Sequence, residues 1–100
     1  MKSNISKLTN REKEVLELLA KAYTDKEIAD TLIIATITAK SHVRSIYTKL
    51  GLRKYKSGKA LRVSAILEYF KYLYDKEFYK MEKLLQDERE VNENNDEVLE

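Results

Sequence analysis

Residues Thr24 to Gly51, TDKEIADTLIIATITAKSHVRSIYTKLG, constrain the fold more tightly than any other stretch of this 100-residue chain. Thr24 with Glu27 three residues on is the T-x-x-E of a capping box, which starts a helix by satisfying two orphan backbone N–H groups at once. Ile28, Ala29 and Leu32 then form an apolar stripe, and Ile33-Ile34-Ala35 supplies a turn. Beyond it Ala39, Val43, Ile46 and Leu50 recur at spacings of four, three and four, the period of a helix with one buried side. The other side carries Ile37, Lys40, Ser41, Arg44 and Thr48. Two short helices and a tight turn, the second helix offering cations and hydroxyls on its free face, suit a major groove lined with acceptors and phosphates.

The remainder of the chain also reads as helix. Proline is absent, the only glycines are Gly51 and Gly58, and strand-type alternation is hard to find, so the expected fold class is all-α. A first helix is predicted over about Asn10–Lys21, capped by Thr9 with Glu12 completing a second box, and with Val15, Leu18, Leu19 and Ala22 facing inward beside Leu16. The second helix covers about Asp25–Leu32. The third, the recognition helix, covers about 36–50 and stops at Gly51, a residue suited to a left-handed exit. Arg53 to Arg62, RKYKSGKALR, reads as a basic loop.

A fourth helix is predicted from about Val63 towards Glu88. Val63, Leu67, Phe70, Tyr74, Phe78, Met81 and Leu85 make one long stripe on it, and Ile66, Tyr69 and Leu73 a second row. Two rows imply two buried surfaces. The expectation is that Ile66, Tyr69 and Leu73 close the domain core and that Phe70, Tyr74, Phe78 and Met81 form a dimer interface; the alternative is a bend after Tyr74 that folds the helix back. The four tyrosines of this helix, Tyr69, Tyr72, Tyr74 and Tyr79, suit packing or an interface better than base stacking. The domain plan is therefore a helix-turn-helix domain over 1–74 with a basic loop at 53–62, an extension of the last helix over 75–88, and an acidic, disordered tail over 89–100.

Charge is sharply polarised along the chain. Met1 to Arg62 holds 14 Lys and Arg against 6 Asp and Glu, a net of +8, while Val63 to Glu100 holds 5 against 11, a net of −6. A nucleic-acid face at one end and an acidic face at the other follow from that asymmetry. With no cysteine and the single histidine His42, neither a disulfide framework nor a thiolate metal site can form, and no cofactor, metal or catalytic residue is expected. No apolar run is long enough to span a membrane and the N-terminus lacks a signal-peptide stretch, so a cytoplasmic, nucleoid-associated protein is expected.

Three segments carry a family resemblance: LTNREKEVLELLA (Leu8–Ala20), YTDKEIAD.L (Tyr23–Leu32) and T.KSHVRSIYTKLGL (Thr38–Leu52). In this order and spacing they resemble the DNA-binding domain of the LuxR/GerE family of bacterial transcription regulators, over 45 residues. Region 4 of bacterial sigma factors has a similar rhythm but usually lacks the K-x-H-V…KLG run. The resemblance implies that Lys40 is the main base-reading lysine, with Ser41 and Arg44 beside it. It puts Thr38 where a hydroxyl meets a phosphate, although a first-turn threonine can equally satisfy its own backbone. Lys26, at a helix N-terminus, and Lys49, Arg53, Lys54, Lys56 and Lys59 are further candidates for phosphate. For His42 the resemblance implies a structural or phosphate-adjacent role.

This chain departs from the family pattern in several places. Ala22 stands where glycine is usual, which implies a looser or strained exit from the first helix. Ala35 replaces the usual serine cap of the recognition helix, so Thr36 is expected to cap instead. Ile37 is apolar where the family is commonly charged, which fits either a thymine methyl or weakened DNA binding. Tyr55–Leu61 aligns as a seven-residue insertion before a fourth helix that begins Arg62-Val63-Ser64-Ala65. Family members commonly carry an N-terminal receiver or ligand-binding domain, and only seven residues precede Leu8 here. Either the protein stands alone, which Met1 and the long last helix favour, or this is an excised domain.

The function expected is sequence-specific binding of double-stranded DNA by a homodimeric transcription regulator, with RNA polymerase or a related regulator as possible further partners. The competing expectation is a protein-interaction antagonist that pairs with a related regulator through its C-terminal helix.

Overall fold

The computed structural model describes residues 4–94 of the chain, with side chains for 4–87. A single 3₁₀ turn, Asn4–Lys7, leads into four α-helices: α1 (Asn10–Ala20), α2 (Asp25–Leu32), α3 (Thr36–Lys49) and α4 (Gly58–Asn94). There is no strand among the described residues. Both expected capping boxes form. Thr9 Oγ1 accepts from the Glu12 N–H at 3.1 Å while Glu12 Oε1 accepts from the Thr9 N–H at 2.9 Å. Thr24 and Glu27 repeat the exchange at 3.2 and 2.9 Å.

Three helix exits use left-handed backbone. After α3, Gly51 sits at φ +73, its N–H donating to the Thr48 carbonyl and that of Leu52 to Tyr47, the paired bonds of a Schellman motif. After α1 the same two bonds run from Ala22 to Leu19 and from Tyr23 to Leu18, but the left-handed residue is an alanine at φ 67. Ala22 is exposed, not turned inward as its spacing suggested, because the left-handed turn carries it off the helix face. After α2 the left-handed residue is Ile33, at φ 56. Side chains with a Cβ lose roughly 1–2 kcal/mol in this conformation, and a β-branched one is a genuine outlier there.

Val15, Leu16 and Leu19 of α1, Ile28 and Ala29 of α2, Ala39, Val43, Ile46 and Leu50 of α3, and Ala65 of α4 meet in one core, closed from below by Ile5, Leu8 and Leu52. The buried stripe of α3 is the one its spacing dictates, widened by Tyr47. Burial raises the Tyr47 hydroxyl above its ordinary pKa. Ala35 occupies the N-cap of α3 with no side-chain bond, and Thr36 is the first helical residue, so Thr36 does not cap.

α4 begins at Gly58, earlier than the spacing implied. Ser57 starts it: its Oγ accepts from the Ala60 N–H at 3.3 Å and its carbonyl from the Leu61 N–H at 3.0 Å. The connection is therefore 50–57, and Lys59 and Arg62 of the expected basic loop stand on helix. The core-closing row is also shifted, to Leu61, Ala65, Tyr69 and Tyr72, with Ile66 and Leu73 half-buried beside it. The small Ala65 lets α4 lie flat on the core and sets its rotation. The helix does not bend after Tyr74 but runs 37 residues without a break. Residues 89–94 continue it, since no glycine or proline stops it there; the remainder of the tail expected from 89 lies outside the described residues.

Candidate nucleic-acid interface

The free face of α3 is a row of Ile37, Ser41, Arg44 and Thr48, flanked by Lys40, and it lies opposite Ala39, Val43, Ile46 and Leu50. Ile37, Thr38, Lys40, Ser41, Arg44 and Thr48 are all exposed. Among the described residues, the side chains of Thr38, Lys40 and Ser41 and the Arg44 guanidinium have no hydrogen-bond or ion-pair partner. They are free to bond a ligand without breaking an internal contact. The first turn of α3 has the same character: with alanine as cap, the N–H groups of Thr36 and Ile37 find no acceptor among the described residues, and such a helix end attracts anions. Lys26 is exposed in the first turn of α2.

Three expected contact residues, Lys49, Thr48 and Arg53, have partners within the domain. Lys49 Nζ lies 2.7 Å from Glu12 Oε1, and Glu12 is a buried carboxylate with 4% exposure. Ser45 Oγ donates to Glu12 Oε2 at 2.5 Å, so Glu12 closes the capping box of α1 and locks α3 to it. Burial alone would raise this carboxyl, but the bonds from Lys49, Ser45 and the Thr9 backbone outweigh it and hold the pKa down to about 2. Lys49 is thus a structural partner here and not a free cation. The Thr48 hydroxyl donates to the Arg44 carbonyl at 3.1 Å and accepts from Arg53 Nε at 2.9 Å. Arg53 therefore braces the end of α3 rather than projecting from the loop. His42 is half-buried on the flank of α3.

Sequence spacing missed a groove beside the recognition face. Lys40, Val43, Arg44 and Tyr47 of α3 form one wall, Gly58, Lys59 and Arg62 of α4 the other, and Asp25 closes one end. Arg62 reaches across to the α1–α2 connection, hydrogen-bonding the Tyr23 carbonyl and pairing with Asp25 Oδ1 at 3.4 Å. That clamp swings the start of α4, and Lys59 with it, to the side of α3 that carries Lys40 and Arg44. Only the density of basic residues in 53–62 foreshadowed this; the two walls lie well apart in the chain.

The second exposed surface is the outer face of α4. Tyr74 is 68% exposed, Phe78 49% and Met81 61%, with Val63, Leu67, Phe70 and Leu85 also open. Tyr74 and Phe78 stack with ring centroids 6.1 Å apart. At 100° per residue this stripe points directly away from Ala65, so it cannot reach the core of its own domain. Among the described residues no helix is long and apolar enough to cross a membrane, and no group of three His, Cys, Asp or Glu could hold a metal ion.

Comparison with known proteins agrees with this geometry. The family model described as "Bacterial regulatory proteins, luxR family" matches residues 6–56. The oxygen regulatory protein NreC of Staphylococcus aureus, in strains JH9, JH1 and Mu3, is 48% identical over 46 residues, which is 46% of this chain and 21% of each relative. The chain thus spans about a fifth of the length of the curated relatives it matches. No solved structure matches it significantly.

Proposed function

Since this chain belongs to the LuxR family of bacterial regulatory proteins, we propose that it regulates transcription by seating α3 in the major groove of double-stranded DNA. The observation that carries this reading is the row of unpartnered Lys40, Ser41 and Arg44 on the face opposite the buried stripe of α3. Lysine and arginine read guanine O6 and N7, each good contact discriminating by about 1–3 kcal/mol. Thr38, the open first turn of α3, Lys26 and Lys59 then hold the phosphates on either side. The protein acts in the cytoplasm, on the nucleoid, as a binding protein without a catalytic step. The oxygen response in the relatives' name belongs to chains about five times the matched length, and only the DNA-binding part is carried over.

The protein works as a homodimer. The outer stripe of α4 steps from Val63 to Leu85 in six intervals averaging 3.67 residues, the period of an 11-residue repeat, in which Leu67-Phe70-Tyr74 recurs as Phe78-Met81-Leu85. That period drifts by only about 20° per repeat, so two helices that share it stay in contact along one apolar seam by winding into a gentle right-handed supercoil, and the partner offering the same repeat is a second copy. The pair would present two recognition helices to half-sites about 34 Å apart. Contact with RNA polymerase would then follow from where the dimer sits on a promoter.

Titration of labelled duplex at several salt concentrations tests the DNA reading. With about five phosphates held per subunit, log K falls with log salt by about 0.9 per contact. A protein that retains no duplex at low salt, yet pairs with another regulator of the family through α4, supports the antagonist instead.

A further inference from the structure

α3 carries one residue that its surroundings do not explain. Ile37 is 78% exposed at the head of an otherwise polar face. It packs against nothing in the core, and its branched side chain adds little to the first turn of a helix. Yet it heads the row Ile37-Ser41-Arg44-Thr48 and lies one turn from Lys40, among the groups free to meet a ligand. A single exposed apolar residue means little on an ordinary surface. On a face that enters the major groove it has one complementary group, because every other group exposed there is a hydrogen-bond donor or acceptor and the C5-methyl of thymine alone is apolar.

We propose that Ile37 is a specificity-determining residue that packs on a thymine methyl, so that each half-site carries a T·A pair within about three base pairs of the guanine read from Lys40 or Arg44. The spacing follows from the helix. Ile37 and Arg44 are seven residues apart, or about 10 Å of axial rise, which spans about three base pairs at 3.4 Å each. The first turn of α3 also leaves the N–H groups of Thr36 and Ile37 without an acceptor among the described residues, and such a helix end attracts phosphate, which would set Ile37 beside the bases next to that strand. The proposal rests on the DNA-binding reading of α3, and its test separates the two.

A randomised duplex pool is selected on the intact 100-residue chain. The enriched sequence is then remade with deoxyuridine in place of thymidine at each half-site position in turn. At one position the loss of the methyl should weaken wild-type binding about fourfold, the worth of one buried methyl. Ile37→Ala should bind the thymine and uracil duplexes equally, while Ile37→Val keeps the preference. Because Ile37 buries nothing, both variants should keep wild-type circular dichroism. An enriched sequence whose uracil forms all bind wild type as tightly as the parent overturns the methyl contact and leaves the DNA reading standing. So does an enriched site with no T·A pair in that segment. Absence of any enrichment overturns both.

Discussion

Replacing Glu12 with glutamine tests how the recognition helix is held. The Glu12 carboxylate takes hydrogen bonds from Lys49 Nζ, Ser45 Oγ and the Thr9 N–H, and it is held at a pKa of about 2 against an ordinary 4.5. A folded pKa below the unfolded one means stability that is complete above pH 4.5 and is lost as pH falls towards 2. The gap corresponds to about 3 kcal/mol at pH 7. Glutamine keeps the shape but removes the charge and leaves the half-buried Lys49 ammonium unpaired. The gap between wild type and Glu12→Gln should therefore be about 3 kcal/mol at pH 7 and shrink to roughly 1 kcal/mol at pH 2.5. In a domain of this size that is a loss of about 12–24 °C in Tm at neutral pH. Urea unfolding followed by circular dichroism at several pH values reads it. Lys49→Met should cost less when added to Glu12→Gln than alone, because the two share one interaction. A gap that stays constant between pH 7 and pH 2.5, or a Gln variant as stable as wild type, refutes the assignment of Glu12 as an ionised strut.

Other perturbations follow from the same geometry. Ala22→Gly relieves left-handed strain at φ 67 and, after the flexibility that glycine adds to the unfolded chain, should raise Tm by about 3–6 °C; a lower Tm on thermal denaturation contradicts the strain. Val43→Asp puts an unpaired charge into the core beside Ile46 and should abolish cooperative unfolding by calorimetry; a folded Val43→Asp protein would show that the faces of α3 are wrongly assigned. Phe78→Glu with Met81→Glu should leave the helix-turn-helix core folded but give a monomer in sedimentation, with DNA affinity lowered by loss of the second half-site; a wild type that sediments as a monomer at high micromolar concentration contradicts the interface.

Much of the domain is legible locally. T-x-x-E boxes, the Ala39-Val43-Ile46-Leu50 stripe and the KLG exit place α1, α2 and α3 within a residue of their ends, because each rests on contacts three or four residues apart. The candidate interface is legible for the same reason, since residues opposite a buried stripe must be exposed. What escaped depends on partners far along the chain. Lys49 looks like any other lysine of the basic half until Glu12, 37 residues away, is placed beside it. α4 turns the small Ala65 into the core and leaves the larger Ile66 and Leu73 only half-buried, a rotation that apolar spacing alone does not give. Arg62 read as the end of the basic loop and the start of the fourth helix, but its clamp did not show, because its partners, Asp25 at the start of α2 and the Tyr23 carbonyl, lie 37 and 39 residues away. Ile33 gave no warning, because β-branched residues so seldom adopt positive φ. Ala22 did, through the glycine that the family usually carries there.

The central claim is that the free face of α3 reads bases. Its most direct test compares the affinity of the enriched duplex with that of a scrambled one, for wild type and for Lys40→Ala with Arg44→Ala. Wild type should prefer the enriched duplex, whose sequence should show two-fold symmetry. The double variant should keep its fold and its salt-sensitive affinity for scrambled DNA while losing the preference by tenfold or more, the loss of at least one base contact of about 1–3 kcal/mol. A double variant that keeps full preference for the enriched sequence contradicts the claim, since some other surface would then be reading the DNA.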